Sequence, residues 1–116
     1  MTLEGVAWRR TLALLGLGAR GRLTVVGVEQ VRNAALRGKL EYAVVALDAS
    51  PHSLKKIVPM LSAKRIGFAE GPSATELGKA VGKDSAAVVG VVDSQLAAGL
   101  RKIVDPGPAG PDRRIV

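Results

Sequence analysis

Two short segments of this chain have residue types that could bind an anion through the polypeptide backbone. Residues 27–30 (Gly-Val-Glu-Gln) open a predicted helix, and residues 78–85 (Gly-Lys-Ala-Val-Gly-Lys-Asp-Ser) lead into a run of apolar residues. Glycine lets a ligand approach the backbone closely, and the start of a helix offers unpaired N–H groups and a partial positive charge. Both segments therefore suit a phosphate group.

The charge of the whole chain favours the same kind of partner. Its 116 residues include 17 Lys and Arg against 10 Asp and Glu, which gives a net charge of +7. The three aromatic residues, Trp8, Tyr42 and Phe68, are scattered. They cannot form the stacking platform with which many proteins bind single strands. We therefore expect a folded RNA that is read through its shape and backbone.

Other motifs do not form a consistent catalytic or metal site. Residues 16–21 match G-x-G-x-x-G, but they follow a predicted helix and precede a strand, the reverse of a dinucleotide-binding turn. Asp48, Ser50 and His52 lie two residues apart at one turn, whereas a Ser-His-Asp triad must converge across a pocket. One histidine and no cysteine disfavour a transition-metal site and exclude disulfides. The sequence predicts no enzyme, no cofactor and no metal.

The N-terminal region has one feature of an export signal. Arg9 and Arg10 precede a short apolar run, as in a twin-arginine signal. However, Arg20 and Arg22 follow that run closely, and its apolar residues have helical spacing. We therefore expect a core helix here and a cytoplasmic protein that has no membrane partner, because no segment is long enough to span a bilayer.

The order of predicted elements favours an α/β fold. Helices are predicted at 6–17, 28–37, 53–63, 73–82 and 94–104, and strands at 23–26, 42–47, 66–69 and 86–92. Gly16, Gly18 and Gly21 are interpreted as a turn, Pro59 is expected to kink or break its helix, and Ser94 to cap the last one. This alternation predicts a three-layer α/β/α sandwich with a small mixed four-stranded sheet. Residues 1–104 would form this domain, and the Pro- and Gly-rich tail 105–116 would be disordered.

Several stretches resemble the kink-turn-binding ribosomal protein family, and above all its bacterial branch of small ribosomal-protein-like RNA-binding proteins. The resemblance covers residues 13–104. It rests on Gly27 at the start of the second predicted helix, on residues 43–51 (Ala-Val-Val-Ala-Leu-Asp-Ala-Ser-Pro) and on residues 76–82 (Glu-Leu-Gly-Lys-Ala-Val-Gly) before a valine-rich strand.

This resemblance implies a sandwich that binds a sharply bent RNA internal loop. It implies that a helix start contacts phosphate and sheared G·A pairs, that the loop before the last strand holds a flipped-out base, and that Ser50 adds a contact. The residues expected at the helix and the loop are Gly27, Glu29, Gln30, Asn33, Lys83, Asp84 and Ser85. Arg37, with Arg20, Arg22 and Arg32, is expected to add phosphate contacts.

The expected partner is a structured RNA, either ribosomal RNA or another kink-turn-like RNA. The ribosome is expected as a further partner, and the protein itself is expected to be a monomer. An alternative function is a protein-interaction module that has kept the fold and lost kink-turn specificity. Glu29 and Asn33 motivate this alternative, because the family usually carries Asn or Lys at the first position and Lys or Arg at the second.

Overall fold

The computed structural model describes residues 5–104, in which helices and strands alternate along the chain. The helices are α1 (Gly5–Arg20), α2 (Val28–Leu36), α3 (Pro51–Ala63), α4 (Ala74–Ala80) and α5 (Ser94–Val104). The strands are β1 (Thr24–Val26), β2 (Tyr42–Val45), β3 (Phe68–Glu70) and β4 (Val88–Val91).

The four strands form one mixed sheet in the order β1-β4-β2-β3. β4 pairs antiparallel with β1 and with β2, so that Val89 lies opposite Val26 on one side and Val44 on the other. β2 and β3 are parallel. Such a pair requires a crossover, and the chain makes it through α3. The predicted mixed four-stranded sheet is confirmed.

Each face of the sheet is covered by its own group of helices. On one face, Leu15 of α1, Leu77 of α4 and Leu100 of α5 pack with the side chains of Val44 and Val89. On the other face, α2 and α3 cover the neighbouring strand residues with side chains that include Val31, Ala34, Ile57 and Leu61. Every residue of β2 and β4 is buried, as continuous apolar runs predict for strands covered on both faces. The three-layer sandwich is therefore confirmed.

Polar side chains fix the starts of three helices. Ser50 accepts a hydrogen bond from the Ser53 amide at 3.1 Å and begins α3, with Pro51 in the first turn. Ser73 and Glu76 form a capping box at the start of α4. α5 differs from the prediction, because Asp93, rather than Ser94, accepts from the Leu96 amide at 2.8 Å.

The first helix is longer than predicted. Gly16 and Gly18 lie inside α1 instead of in a turn, and only Gly21 follows the helix. A side chain at Gly16 would come within 3.0 Å of the Ala80 carbonyl oxygen, and one at Gly18 would overlap Leu96. These glycines therefore allow α1 to pack closely on α4 and α5.

Pro59 does not break its helix, since α3 continues to Ala63. Proline removes the hydrogen bond that residue 59 would donate to the carbonyl of Lys55. Both residues are exposed, so water can satisfy that carbonyl. None of the helices within residues 5–104 is long and apolar enough to cross a membrane. The expectation for the tail 105–116 lies outside the described residues.

Asp48 ties the end of β2 to the start of α4, because its Oδ1 accepts from the Ala74 amide at 2.7 Å. We predict that Asp48→Ala lowers the free energy of unfolding by about 1 kcal/mol, since one amide of the first turn of α4 loses its acceptor. Urea denaturation measures the change. Asp84→Ala, which removes an exposed carboxylate of the same charge, should change stability by less than half as much. Equal losses in the two variants would contradict a capping role.

Candidate nucleic-acid interface

The first turn of α2 presents backbone amides with open space in front of them. Gly27 precedes the helix with φ 98° and ψ 160°, and within the described residues no side chain caps this end. The first hydrogen bond of the helix runs from the Val31 amide to the Gly27 carbonyl at 3.0 Å, which leaves the amides of residues 28–30 without an intrahelical acceptor. Among the described residues, and apart from Gly27 and its two chain neighbours, no atom lies within 4 Å of the place where a side chain of Gly27 would begin. A phosphate group could approach there.

The start of α2 lies beside the loop that precedes β4. The Gly27 amide donates to the Val88 carbonyl at 2.9 Å, and β1 and β4 are paired along their length. Ser85 stands three residues before Val88, which is at most about 11 Å of extended chain. The two segments singled out in the sequence therefore meet at one edge of the sheet.

The loop of residues 81–87 is held close to α4. The Lys83 amide donates to the Gly78 carbonyl at 2.8 Å, and the Ala86 amide donates to the Ala74 carbonyl at 2.9 Å. A side chain at Gly78 would lie 2.4 Å from the Cα of Ser85. The loop thus rests on the bare backbone of α4, while the side chains of Lys83, Asp84 and Ser85 are exposed.

A third segment reaches the same edge from the end of β2. The Ala46 amide donates to the Ala87 carbonyl at 2.8 Å, and Ser50 follows four residues later at the start of α3. A narrow depression lies where the three segments meet, and it is too small to hold a water molecule. Its lining combines residues from all of them, namely Val28, Val45, Ala49, Ser53, Leu54, Ile57, Ala87 and Val88.

Sequence reasoning did not identify the apolar residues of this depression as part of a site. Val28 and Leu54 fit the buried stripes of their helices, and nothing in their spacing separates a core position from one at the rim. Their partial burial is the distinguishing feature, and it depends on how α2 and α3 pack together.

The predicted polar residues of α2 are exposed along one side of the helix. Gln30 and Asn33 both face outward, and Glu29 lies 3.9 Å from Arg32. Glu29 is 71% exposed and Arg32 is 43% exposed, so this ion pair contributes little to stability. Glu29 is therefore available to a partner at the start of the helix.

Two groups of arginines that were predicted to contact phosphate lie away from this edge. Arg37 caps the far end of α2, about 14 Å along the helix axis from Gly27. Arg20 and Arg22 precede β1, whereas Gly27 follows it, so they lie at the opposite end of that strand. The structure brings together residues 27–30, 50 and 83–85, and it leaves these arginines outside the cluster.

The groups of the rejected Ser-His-Asp arrangement each have another environment. The Asp48 carboxylate accepts from the Ala74 amide, the Ser50 hydroxyl accepts from the Ser53 amide, and His52 is exposed on the first turn of α3. Among residues 5–104, no three His, Cys, Asp or Glu side chains are grouped as metal ligands would be.

Comparisons with known proteins identify the family of this chain. Residues 14–100 match the model of the ribosomal protein L7Ae/L30e/S12e/Gadd45 family. The RNA-binding protein YlxQ of Bacillus subtilis (strain 168) is 31% identical over 107 residues, which are 89% of this chain and all of that protein.

Two solved structures share the fold. A protein of unknown function from Bacillus halodurans superposes with a TM-score of 0.77 and 33% identity, over 82% of this chain and 96% of that one. The 15.5kD RNA binding protein of Giardia lamblia superposes with a TM-score of 0.79, over 93% of this chain and 92% of that one. At 21% identity, the second likeness shows the fold alone.

The close contact between α4 and the loop 81–87 can be tested with one methyl group. We predict that Gly78→Ala lowers the free energy of unfolding by about 1–3 kcal/mol, because the new Cβ overlaps the backbone of Ser85 and the loop must shift. Thermal and urea unfolding report the change, and amide chemical shifts at 83–87 report the loop.

Gly99→Ala is the matched control, since Gly99 also lies within a helix, and among the described residues the nearest atom of another element to its new Cβ would be Leu14 Cδ1, at an ordinary contact distance of 3.6 Å. Higher helix propensity should stabilise that variant by up to about 1 kcal/mol. If Gly78→Ala behaved in the same way, the loop would not depend on the bare backbone of α4.

Proposed function

Because this chain belongs to the ribosomal protein L7Ae/L30e/S12e/Gadd45 family, we propose that it is a non-enzymatic protein that binds a sharply bent, kink-turn-like structured RNA. One observation carries this proposal. The uncapped, glycine-led start of α2 lies at the same edge as the exposed residues 83–85 and Ser50. A relative that is 31% identical over 89% of this chain is named as an RNA-binding protein, which supports the same class of partner.

The start of α2 would recognise the kink itself. Gly27 lets a phosphate reach the amides of residues 28–30, where the helix dipole also favours negative charge. Gln30 is the third residue of α2 and lies within this first turn. Its side-chain amide can both donate hydrogen bonds to base edges and accept them. Asn33 lies one turn further along the same exposed side and can extend the contact to the next base.

Glu29 would act as an acceptor and not as a phosphate contact. Its carboxylate can accept hydrogen bonds from the amino groups of bases, as acidic side chains do with cytosine N4. Arg32 at 3.9 Å offsets part of its negative charge next to the RNA backbone. Arg37 lies farther along α2 and would contact phosphate beyond the bent region.

The partly exposed rim of the depression would hold a base extruded from the bent strand, because the depression itself has no room for one. Val28, Leu54 and Ala87 provide apolar surface for the face of the base. The exposed side chains of Lys83, Asp84 and Ser85 belong to the loop that precedes Ala87, and Ser50 lies on the opposite rim. The lysine can contact a phosphate, while the hydroxyl groups and the carboxylate can bond to the edge of the base.

We place this protein in the cytoplasm as a monomer, bound to ribosomal RNA or to another kink-turn-like RNA, with a role in translation. Recognition of RNA shape would not require the aromatic platform that this chain lacks, because a bent internal loop is distinguished by its backbone and its sheared pairs.

A second candidate function is a protein-interaction module of the same fold, and the exposed carboxylate of Glu29 at the start of α2 favours it. A basic peptide could bind there where RNA phosphate would be repelled. Under this alternative, the purified protein would bind bent and straight RNA equally, and a protein partner would remain bound after nuclease treatment.

The role of Gln30 can be tested by its removal. We predict that Gln30→Ala weakens binding to a kink-turn RNA by about 1–3 kcal/mol, because the base edges lose a paired amide, and that it hardly changes binding to a plain duplex of equal length. Fluorescence anisotropy measures both affinities.

Gln95→Ala is the control, since Gln95 is exposed on α5 in the opposite helix layer. It should leave both affinities unchanged. Equal loss on kinked and straight RNA after Gln30→Ala would show that Gln30 does not read the bent structure.

A further inference from the structure

The starts of β1, β2 and β3 lie together at the end of the sheet that is opposite the proposed kink edge. Thr24 and Tyr42 both lie opposite Val91, the last residue of β4, and Phe68 lies beside Ala43. The kink edge, by contrast, is formed at the start of β4. α1, α2 and α3 each lead into one of these three strands, so their last turns meet at the same end.

Exposed cationic side chains collect at this end of the molecule, which we call the cationic end. They belong to the last residue of α1 and to the segments that join the three helices to the three strands: Arg20, Arg22, Arg37, Lys39, Lys64 and Arg65. The acidic residues there, Glu41 and Asp93, are partly buried, and Asp93 accepts from the Leu96 amide. Among residues 5–104, the ion pair that forms is that of Glu29 with Arg32 on α2, so no carboxylate pairs with the cationic end.

α1, α2 and α3 all end in the same kind of turn, a Schellman motif. In this motif an amide just past the helix donates back across the last turn, and the residue before that amide adopts a left-handed conformation. Each helix therefore places one left-handed residue at the cationic end. The three hydrogen bonds, of 2.8, 2.9 and 2.9 Å, run from the amide of the first residue to the carbonyl of the second: Leu23 to Gly18, Lys39 to Ala34, and Ile66 to Leu61.

The left-handed residue is glycine after α2 and arginine after the other two helices. Gly38 has φ 70°, whereas Arg22 has φ 60° and Arg65 has φ 57°. Glycine adopts this conformation freely, but an L side chain is strained in it, so each arginine lowers stability relative to glycine. The helix dipole favours cations here, yet it also favours them within the last helical turn, where no such strain arises. Helix stability therefore does not explain the two arginines, whereas a ligand of their guanidinium groups would.

The width of the cationic end suits an extended anion. Arg22 precedes β1 and Arg65 precedes β3, which are the two outer strands of the sheet. Neighbouring strands lie about 4.8 Å apart, so three spacings set these segments about 14 Å apart, with Lys39 between them ahead of β2. Successive phosphates of a nucleic-acid strand can occupy such a row, and the planar fork of arginine matches their oxygen atoms.

The apolar side chains of this end argue against a protein partner. Protein interfaces usually have an apolar centre in which lysine is depleted. In the three connecting segments, Leu40 is buried, and Leu23 and Ile66 are only partly exposed. These segments therefore favour an RNA backbone over an acidic protein.

We propose that the cationic end binds the phosphate backbone of a second RNA segment, so that the protein bridges two RNA segments, one at each end of its sheet. α3 runs between the two ends with 13 residues, a length of about 20 Å. The second segment is therefore distinct from the kinked loop, and its contacts would position RNA without reading its sequence. This site goes beyond the proposed function, because it does not depend on recognition of a kink.

Arg22→Gly with Arg65→Gly tests the proposal, because it removes both guanidinium groups and relieves the backbone strain. The full chain is loaded onto an immobilised kink-turn RNA, and a labelled straight RNA duplex of about 20 base pairs is passed over it at several salt concentrations. The double variant should capture the duplex about tenfold more weakly, with the salt dependence of log K reduced by about 1–2.

The stability of this double variant should change in the opposite direction. Its melting temperature should rise by about 4–8 °C, since glycine relieves both strained positions, and its affinity for the kink-turn RNA should stay within about twofold. A loss of duplex capture together with a gain in stability cannot come from misfolding.

Arg9→Ala with Arg10→Ala is the matched control. It removes the same charge from exposed positions of α1, about 15 Å along the helix from Arg20, and should leave duplex capture unchanged. Arg22→Lys with Arg65→Lys retains the charge and should retain most of the capture. Unchanged capture after Arg22→Gly with Arg65→Gly, or equal loss in the control pair, would overturn the proposal. Capture of a polyglutamate peptide in place of the duplex would overturn the assignment of RNA as the partner.

The proposed function is judged separately, on the unsubstituted protein. If the kink-turn RNA bound no better than the straight duplex, the kink site would be wrong. Titration of the free protein with the labelled duplex, compared between the unsubstituted chain and the double glycine variant, would still decide the role of the cationic end.

Discussion

One backbone hydrogen bond sets the position of everything at the candidate interface. The Gly27 amide donates to the Val88 carbonyl at 2.9 Å and continues the antiparallel ladder between β1 and β4. It joins two segments that are far apart in the chain, so that the first turn of α2 starts beside the loop that ends at β4. Without this pairing, the amides of residues 28–30 and the side chains of residues 83–85 would not share one edge. The order β1-β4-β2-β3, in which β4 is central, also brings the end of β2 to the same place.

Two glycines serve this edge for different physical reasons. Gly27 has a positive φ of 98° and open space around it, a conformation that costs other residues about 1–3 kcal/mol. Gly78 instead lies within α4, and the loop approaches its backbone more closely than any side chain would permit. The first glycine leaves room for a ligand, and the second leaves room for the loop that would hold the ligand.

Much of the fold could be predicted from local patterns. Three patterns each predict an element from residues that are close together in the sequence. They are the apolar spacing of α2, the Ser73–Glu76 capping box, and the continuous apolar runs of β2 and β4. Some of what failed depended on contacts between distant residues. The local sequence around Gly16 and Gly18 is typical of a turn. Glycine is needed there instead because Ala80 and Leu96 pack against this part of α1. The partner of Asp48 is an amide 26 residues away, a pairing that no local pattern contains.

The same contrast between local patterns and contacts of distant residues applies to the candidate site. Gly27, Gln30 and residues 83–85 were chosen for their chemistry and their resemblance to a family, and the structure places them at one edge. Arg37, Arg20 and Arg22 were included on charge alone, and they lie elsewhere because charge does not specify position. Val28 and Leu54 were not identified from the sequence, since the depression they line arises only where α2 packs on α3.

The most direct test of the shared edge is a titration of isotope-labelled protein with a kink-turn RNA, followed by backbone amide NMR. We predict that the amides of residues 27–30 and of residues 83–87 shift together at the same RNA concentration, while those of α1 and α5 stay in place. Shifts at only one of these two segments, or centred on α1 and α5, would contradict it.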